Sequence, residues 1–276
     1  MIIMRIPIIN RFTCNERQLN FMIKSISNKK MFPILDFANE NSIDFENNFK
    51  KIKNLVENYP NNSISVKLSS LNFKQDYLED IAKLAIKKNS KILIDAENFL
   101  VQDKIEEISN KFIKSYNTNQ VNIYKTYQMY RTDSLNLLKN DFLQTRDYYI
   151  GCKLVRGAYY NQDKKYNILF RKIKDTHNNY DEAVKFLSEY KKENDVIMCA
   201  THNNKSIDKV INLINNKKIK NIEFAHLLGM SDILSEKLSI NYKVYKYLPF
   251  GNFIDTIPYL IRRLYENYPM INKILK

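Results

Sequence analysis

The sequence predicts an α/β chain folded as a (β/α)8 barrel, with parallel strands and a working face at their C-terminal ends. Three observations carry this reading. Eight apolar runs of strand length recur along 276 residues, segments of helical periodicity separate them, and only four glycines are present. Strands alternating with helices argue for parallel βαβ units, and eight such units in about 250 residues is the usual size of a closed barrel. An open doubly wound sheet is the competing architecture. It would ordinarily cradle a nucleotide in a glycine-rich loop, and four glycines leave room for neither a GxGxxG fingerprint nor a P-loop.

Residues 1–30 read as a helical or irregular lead-in and 31–276 as the barrel domain. The first strand is Phe32 to Ala38 (FPILDFA), followed by a helical pattern from Asp44 to Asn58 with apolar residues near i, i+3, i+4 and i+7. Ile64 to Ser70 (ISVKLSS) and the Asp76 to Lys88 helix form the second unit, and Lys91 to Glu97 (KILIDAE) with Val101 to Lys114 the third. Val121 to Tyr127 (VNIYKTY) and Gly151 to Gly157 (GCKLVRG) are the fourth and fifth strands, and Asp163 to Lys192 leaves room for an extra helix. Val196 to His202 (VIMCATH) precedes the Lys205 to Asn215 helix, and Asn221 to Leu227 (NIEFAHL) and Lys243 to Leu248 (KVYKYL) close the series. Asp255 suits an N-cap with Pro258 in the first turn of a last helix.

Composition limits the partners. Forty-four Lys and Arg against 30 Asp and Glu give a net charge of +14, spread along the chain and open to an anionic ligand, membrane or nucleic acid. Cys14, Cys152 and Cys199 are odd in number and widely spaced, so neither a disulfide framework nor a metal-binding CxxC is expected, and the latter two read as small buried hydrophobes. His177, His202 and His226 have no metal-ligand spacing. No apolar run reaches the 18 residues of a spanning helix, and no secretory signal is expected. The opening MIIMRIPIINRFTCN has two arginines and no acid, a weak transit-peptide pattern interrupted by Pro7.

Barrel enzymes place chemistry at strand C-termini, and polar residues that a core strand should not hold collect there. They are Lys67, Asp95 with Glu97, Lys125 with Gln128, Lys153 with Arg156, and Thr201, His202 and Asn203. Side-chain alternation turns Val66 and Leu68 toward the helices and Lys67 inward, and likewise opposes Asp95 to Ile92 and Ile94. An unpaired charge there is costly, so each needs a partner, ligand or water at the mouth. In the last helix Tyr259, Arg262, Arg263 and Glu266 share one face, and the arginine pair suits a carboxylate or phosphate.

The segments VKLSSL, ILIDAEN, TYQMY, KLVRGAYY, ATHN, EFAHLLGM, YKYLPFG and PYLIRRLYEN, in this order from residue 66 to residue 267, resemble the proline dehydrogenase family, and most nearly its eukaryotic-type, single-function members. The resemblance implies a distorted barrel holding FAD across its C-terminal face. The implied reaction is oxidation of L-proline to (S)-1-pyrroline-5-carboxylate by hydride transfer, the first step of proline catabolism to glutamate, with electrons passed to a quinone. It further implies that Lys67, Arg262 and Arg263 bind the proline carboxylate, that Tyr247 and Tyr259 pack on the ring, and that Tyr159 lies close by. Asp95 and Lys153 would be the catalytic pair, Asp95 ordering the cations. Ala96, Lys125, Lys153, Arg156, Gly157, Ala158, Thr201, His202 and Asn203 would contact the flavin or its pyrophosphate, with Gly157 lying against it. Asp36 would pair with one of the arginines, and Glu266 would be a second ion-pair partner. Peripheral membrane association follows from the quinone, and no nucleic acid or metal is expected. The location would be mitochondrial, at the inner membrane, in a eukaryote, and cytoplasmic or peripheral in a bacterium.

The sequence departs from the family at Lys125, where an amide is common, at Lys153, at Phe250, and at Ala225-His226. Two other functions stay open at this point. A Schiff-base lyase or aldolase would use Lys67, Lys125 or Lys153 on the strands, and a basic nucleic-acid-binding protein would use the charge and tyrosine content.

Overall fold

The computed structural model describes residues 11–38, 43–252 and 256. Eight strands form one closed, all-parallel barrel in sequence order: β1 (Phe32–Phe37), β2 (Ser63–Val66), β3 (Lys91–Ile94), β4 (Ile123–Gln128), β5 (Gly151–Val155), β6 (Val196–Ala200), β7 (Ile222–Leu227) and β8 (Lys243–Phe250). Closure comes from β1 against β8, in register from Phe32 opposite Tyr245 to Phe37 opposite Phe250. Nine α-helices stand among the described residues: α1 (Leu19–Asn28), α2 (Phe45–Asn58), α3 (Gln75–Lys87), α4 (Phe99–Tyr116), α5 (Ser134–Leu143), α6 (Tyr160–Asp163), α7 (Ile173–Tyr190), α8 (Asn204–Asn215) and α9 (Asp232–Leu238).

The helices that the periodicity marks are α2, α3, α4 and α8, each with its apolar stripe buried: Ile52, Leu55 and Val56 in α2, Leu78, Ile81, Ala82 and Ala85 in α3. Side-chain caps satisfy first-turn donors where Asp44 accepts from the Asn47 amide, Asn98 from Leu100 and Asn203 from Ser206. The Asp163 to Lys192 stretch resolves into the end of α6, a 3-10 turn at Lys164–Tyr166, a loop and α7. Helices α5 and α9 have no counterpart in the sequence reading. The second is seven residues long, too short to display a periodicity.

Alternation along the strands divides the core in two. Ile34, Leu93, Tyr124, Met198, Ala225, Tyr245 and Tyr247 point inward and fill the barrel. Leu35, Ile64, Val66, Ile92, Ile94, Leu154, Phe224 and Leu248 point outward and pack under the helices. At the N-terminal end Glu223 closes the barrel, buried among Tyr124 Oη at 2.8 Å, Tyr245 Oη at 3.2 Å and Lys243 Nζ at 3.0 Å. The opposite end stays polar, because β2, β3, β5 and β6 stop one residue before Lys67, Asp95, Arg156 and Thr201. These strands are shorter than their apolar runs suggested, since a buried charge must turn to a partner outside the ladder.

The lead-in is tied to the rim of β8. Thr13 Oγ1 donates to the Pro249 carbonyl at 2.9 Å, the Cys14 amide donates to the same oxygen at 3.1 Å, and Gly251 returns a bond to the Cys14 carbonyl. Cys14, Cys152 and Cys199 are all buried and form no disulfide.

Candidate active site

The barrel mouth is built on Asp95. Placed one residue beyond β3 and turned inward, its Oδ1 lies 2.6 Å from Lys153 Nζ of β5 and 2.8 Å from Tyr247 Oη of β8, while Oδ2 accepts from Ser65 Oγ of β2 at 2.8 Å. Lys153 Nζ also reaches Tyr247 Oη at 2.5 Å and sits over that ring. Beside this triad, Lys67 Nζ is 2.8 Å from Asp36 Oδ1 of β1. Two cations and two carboxylates thus meet from β1, β2, β3 and β5. Such charges are tolerated out of water only when each is paired and hydrogen-bonded.

Burial alone would raise the Asp95 carboxyl, but the nearby Lys153 and Lys67 ammonium groups, with hydrogen bonds from Lys153 and Ser65, outweigh it and hold the group at about 2. Burial, with the charges of Asp95 and Asp36, pushes the Tyr247 phenol far up. The triad at neutral pH is therefore a carboxylate facing an intact phenol.

Around this centre the strand ends supply polar groups. Gln128 points inward at the end of β4, its Nε2 donating to the Glu97 carbonyl at 2.8 Å and its Oε1 accepting from the Ala158 amide at 3.3 Å. Buried Glu97 accepts from the Ser69 amide at 3.0 Å and from Ser69 Oγ. Burial raises its carboxyl, against the pull of those bonds. Arg156 donates to His177 Nδ1 at 2.8 Å, to Ser206 Oγ at 2.9 Å and to Thr201 Oγ1, and its guanidinium lies 4.4 Å above the Tyr180 ring. His202 stacks on His226 at 5.2 Å, with Nδ1 3.1 Å from Ser231 Oγ. Asn203 caps α8, so that helix presents its N-terminus to the rim beside Thr201 and Arg156. A helix N-terminus next to a guanidinium favours anionic ligands.

The structure therefore gathers Asp36, Lys67, Asp95, Lys153 and Tyr247 at the mouth and sets Ala96, Arg156, Gly157, Ala158, Tyr159, Thr201, His202 and Asn203 at strand ends around it. Tyr259, Arg262, Arg263 and Glu266 lie outside the described residues. Asp36, expected beside an arginine, has Lys67 as its described partner.

One expectation changes. Lys125 does not face the mouth: it points outward from β4, buried, with Asp141 Oδ2 at 2.5 Å, Asn110 Oδ1 at 2.8 Å and Glu106 as partners in the helix layer. Its strand neighbours settle the direction, since Ile123 and Tyr127 share its parity and belong to the outer core. Gln128, three residues on, has the opposite parity, so the side-chain amide that β4 brings to the mouth is Gln128. Gly157 has in addition a steric reason of its own to be a glycine, the Tyr130 ring. A Cβ there would collide with the Tyr130 ring, and φ is +135°. That ring is fixed by its hydroxyl, which donates to Asp163 Oδ2 at 2.6 Å.

Ser65 and Glu97 are further contributors that the sequence reading left without a role. Ser65 shares the inward parity of Lys67 two residues away, a signal that alternation carries. Among the described residues no group of three or more His, Cys, Asp or Glu is arranged to hold a metal.

Comparison with known proteins agrees with this geometry. A family model described as proline dehydrogenase matches residues 23–274. Mitochondrial proline dehydrogenase 1 of Dictyostelium discoideum is 35% identical over 209 residues, covering 69% of this chain and 36% of that protein. Its Caenorhabditis elegans counterpart is 32% identical over 212 residues, covering 70% and 34%. Hydroxyproline dehydrogenase of Xenopus laevis is 30% identical over 217 residues, covering 72% and 46%. The chain spans about a third of the length of the first two relatives. Among solved structures, proline utilization A from Bdellovibrio bacteriovorus, inactivated by N-propargylglycine, has the same fold with a TM-score of 0.85 at 20% identity, over 94% of this chain and 32% of that one. With the motifs in order and the match running over nearly its whole length, this chain belongs to the proline dehydrogenase family.

Proposed function

We propose that this protein oxidises L-proline to (S)-1-pyrroline-5-carboxylate with FAD held across the C-terminal face of the barrel, the electrons passing to a quinone. The observation that carries the reading is the mouth itself: Lys67 and Lys153 fixed by Asp36 and Asp95, beside the Tyr247 phenol. A zwitterionic amino acid needs fixed cations for its carboxylate, and Lys67 supplies one on the described side, with Arg262 and Arg263 assigned by family resemblance. Tyr247, Tyr259 and Tyr159 would bound the ring of the substrate.

The donor set fits the flavin. Lys153, Arg156, Thr201, His202, Asn203, Gln128 and the Ala96 to Ala158 rim offer cations, amides and a helix N-terminus to a pyrophosphate and a polar heterocycle, without a glycine-rich loop. When bound, FAD supplies the hydride acceptor, and the difficult chemistry is the cofactor's. The chain contributes position and electrostatics. Asp95 stays anionic across working pH and keeps Lys153 and Tyr247 in register, a fixed frame that would orient the substrate ring for transfer to the cofactor. Exclusion of water strengthens the carboxylate clamp.

The Schiff-base reading fares worse, because an amine nucleophile needs a neutral nitrogen. Lys67 and Lys153 are each locked to a carboxylate, and Lys125 faces the helices. For the acceptor, residues 164–174 (KKYNILFRKIK) carry five cations and no acid after β5, with Ile173 exposed beside them. Such a segment suits peripheral contact with an anionic membrane, and the naming of the relatives as mitochondrial supports that compartment. No helix among the described residues is long and apolar enough to cross a membrane.

The test is spectroscopic. Purified protein is expected to be yellow and to bleach on anaerobic addition of L-proline, with hydroxyproline as the comparison substrate. Colourless protein that cannot be reconstituted with FAD would sink the proposal, and bleaching by hydroxyproline alone would move the substrate.

A further inference from the structure

Lys125 is a buried cation that the proposed chemistry does not use. It sits mid-strand on the helix side of β4, where its neighbours of the same parity are Ile123 and Tyr127, yet its ammonium is closed in by Glu106 and Asn110 of α4 and Asp141 of α5. Tyr127 Oη donates to the same Asp141 oxygen at 2.6 Å. Replacing such a cluster by well-packed apolar side chains is often neutral or stabilising, because three desolvated charges are expensive. Stability alone therefore does not explain it.

Its connections do. Glu106 Oε1 accepts from Gln102 Nε2 at 3.0 Å, and Gln102 Oε1 accepts from the Glu97 amide at 3.0 Å. Glu97 lies two residues after Asp95, its carbonyl receives Gln128 Nε2, and its carboxylate receives Ser69. Thr126 Oγ1 adds a bond to the Ile94 carbonyl at 2.8 Å. A continuous chain thus runs from the helix layer, through Lys125, Glu106 and Gln102, to the loop that carries Asp95 and Ala96.

We infer that Lys125 is a positioning residue: by anchoring Glu106, and through it Gln102, it fixes the backbone of residues 95–97 and with it the Asp95 carboxylate and the Gln128 amide at the barrel mouth. The inference rests on the reading of that mouth as the site of proline oxidation, but its first consequence is structural. The four residues sit on two elements, β4 and α4, and on the loop between β3 and α4. Loss of any link releases the loop while leaving the barrel ladder intact, since the Asp95 amide still bonds the Val66 carbonyl.

The experiment compares wild type with Gln102→Met, Lys125→Met and Lys125→Arg in the full chain. Amide hydrogen exchange of a peptide covering residues 95–102 is measured first, then the KM and kcat for L-proline at a temperature well below unfolding. Gln102→Met, which removes the middle link and spares the Lys125 ion pairs, is expected to speed exchange at Glu97 about tenfold, the worth of one buried amide hydrogen bond. Its KM should rise by a similar factor, with exchange in β7 unchanged. Lys125→Met should do the same and Lys125→Arg should restore both. If Lys125→Met does not fold, Gln102→Met decides alone. Wild-type exchange at Glu97 in Gln102→Met overturns the inference. If wild type itself turns over no proline, the functional reading has failed and the exchange result still judges the anchor.

Discussion

Replacing Asp95 by Asn keeps the shape of the side chain and removes the charge that Lys153, Tyr247 and Ser65 surround. The carboxyl is lowered from 3.8 to about 2, and at roughly 1.4 kcal/mol per pH unit this corresponds to about 2 kcal/mol of folding stability at neutral pH. The sign follows from a depressed acid: its stabilisation is complete above the unfolded value of 3.8 and disappears as pH falls toward about 2. Asp95→Asn should therefore unfold at lower denaturant than wild type at pH 7, by about 2 kcal/mol on linear extrapolation, and at lower temperature by about 4 °C. Repeated at pH 5, 4 and 3, the two curves should converge only below pH 4. A difference that is the same at pH 3 and pH 7, or no difference at pH 7, refutes the electrostatic account of the mouth. The variant should also lose most proline turnover, because an amide oxygen can still accept from Tyr247 but no longer offers Lys153 the negative charge that holds its ammonium in place.

Three other expectations follow from particular contacts. Gly157→Ala meets both a φ of +135° and the pinned Tyr130 ring, and should cost about 2–4 kcal/mol in urea unfolding; a loss under half a kcal/mol would show that the loop relaxes freely. Arg263→Met should raise the KM for L-proline by about two orders of magnitude with FAD still bound, as expected if the resemblance assigns this arginine correctly as a charge partner of the substrate carboxylate, and an unchanged KM would remove Arg263 from the site. Burial pushes the Cys14 and Cys199 thiols up to about 12, so native protein at pH 8 should resist iodoacetamide and react only in denaturant, which mass spectrometry reads directly.

Much of the architecture is local information. The strand runs and the helices α2, α3, α4 and α8 announce themselves through apolar runs or a period of 3.6, and the residues that break an apolar run, Lys67, Asp95 and Lys153, do so because a strand end at a barrel mouth is where a charge finds a partner. The orientation of Lys125 was equally local, since alternation sets it opposite Gln128; the same parity that placed Lys67 and Asp95 inward sends it outward. Helices α5 and α9 were less legible, one weakly amphipathic and the other too short for a period.

The sequence by itself determined the class of fold, the order of its elements, the family, and which face of the barrel holds the polar residues, because all of these depend on patterns that recur within a few residues. Only the tertiary structure decided who meets whom. Asp36 pairs with Lys67, Asp95 is shared by Lys153 and Tyr247, Gly157 yields its space to Tyr130, and Glu97 is held by Gln102 and Gln128. The reason is geometric. Barrel closure brings β1 beside β8 and sets inward side chains of non-adjacent strands across one narrow mouth, so the partner of a charge is chosen by strand register and tilt, quantities that no single segment of the chain encodes.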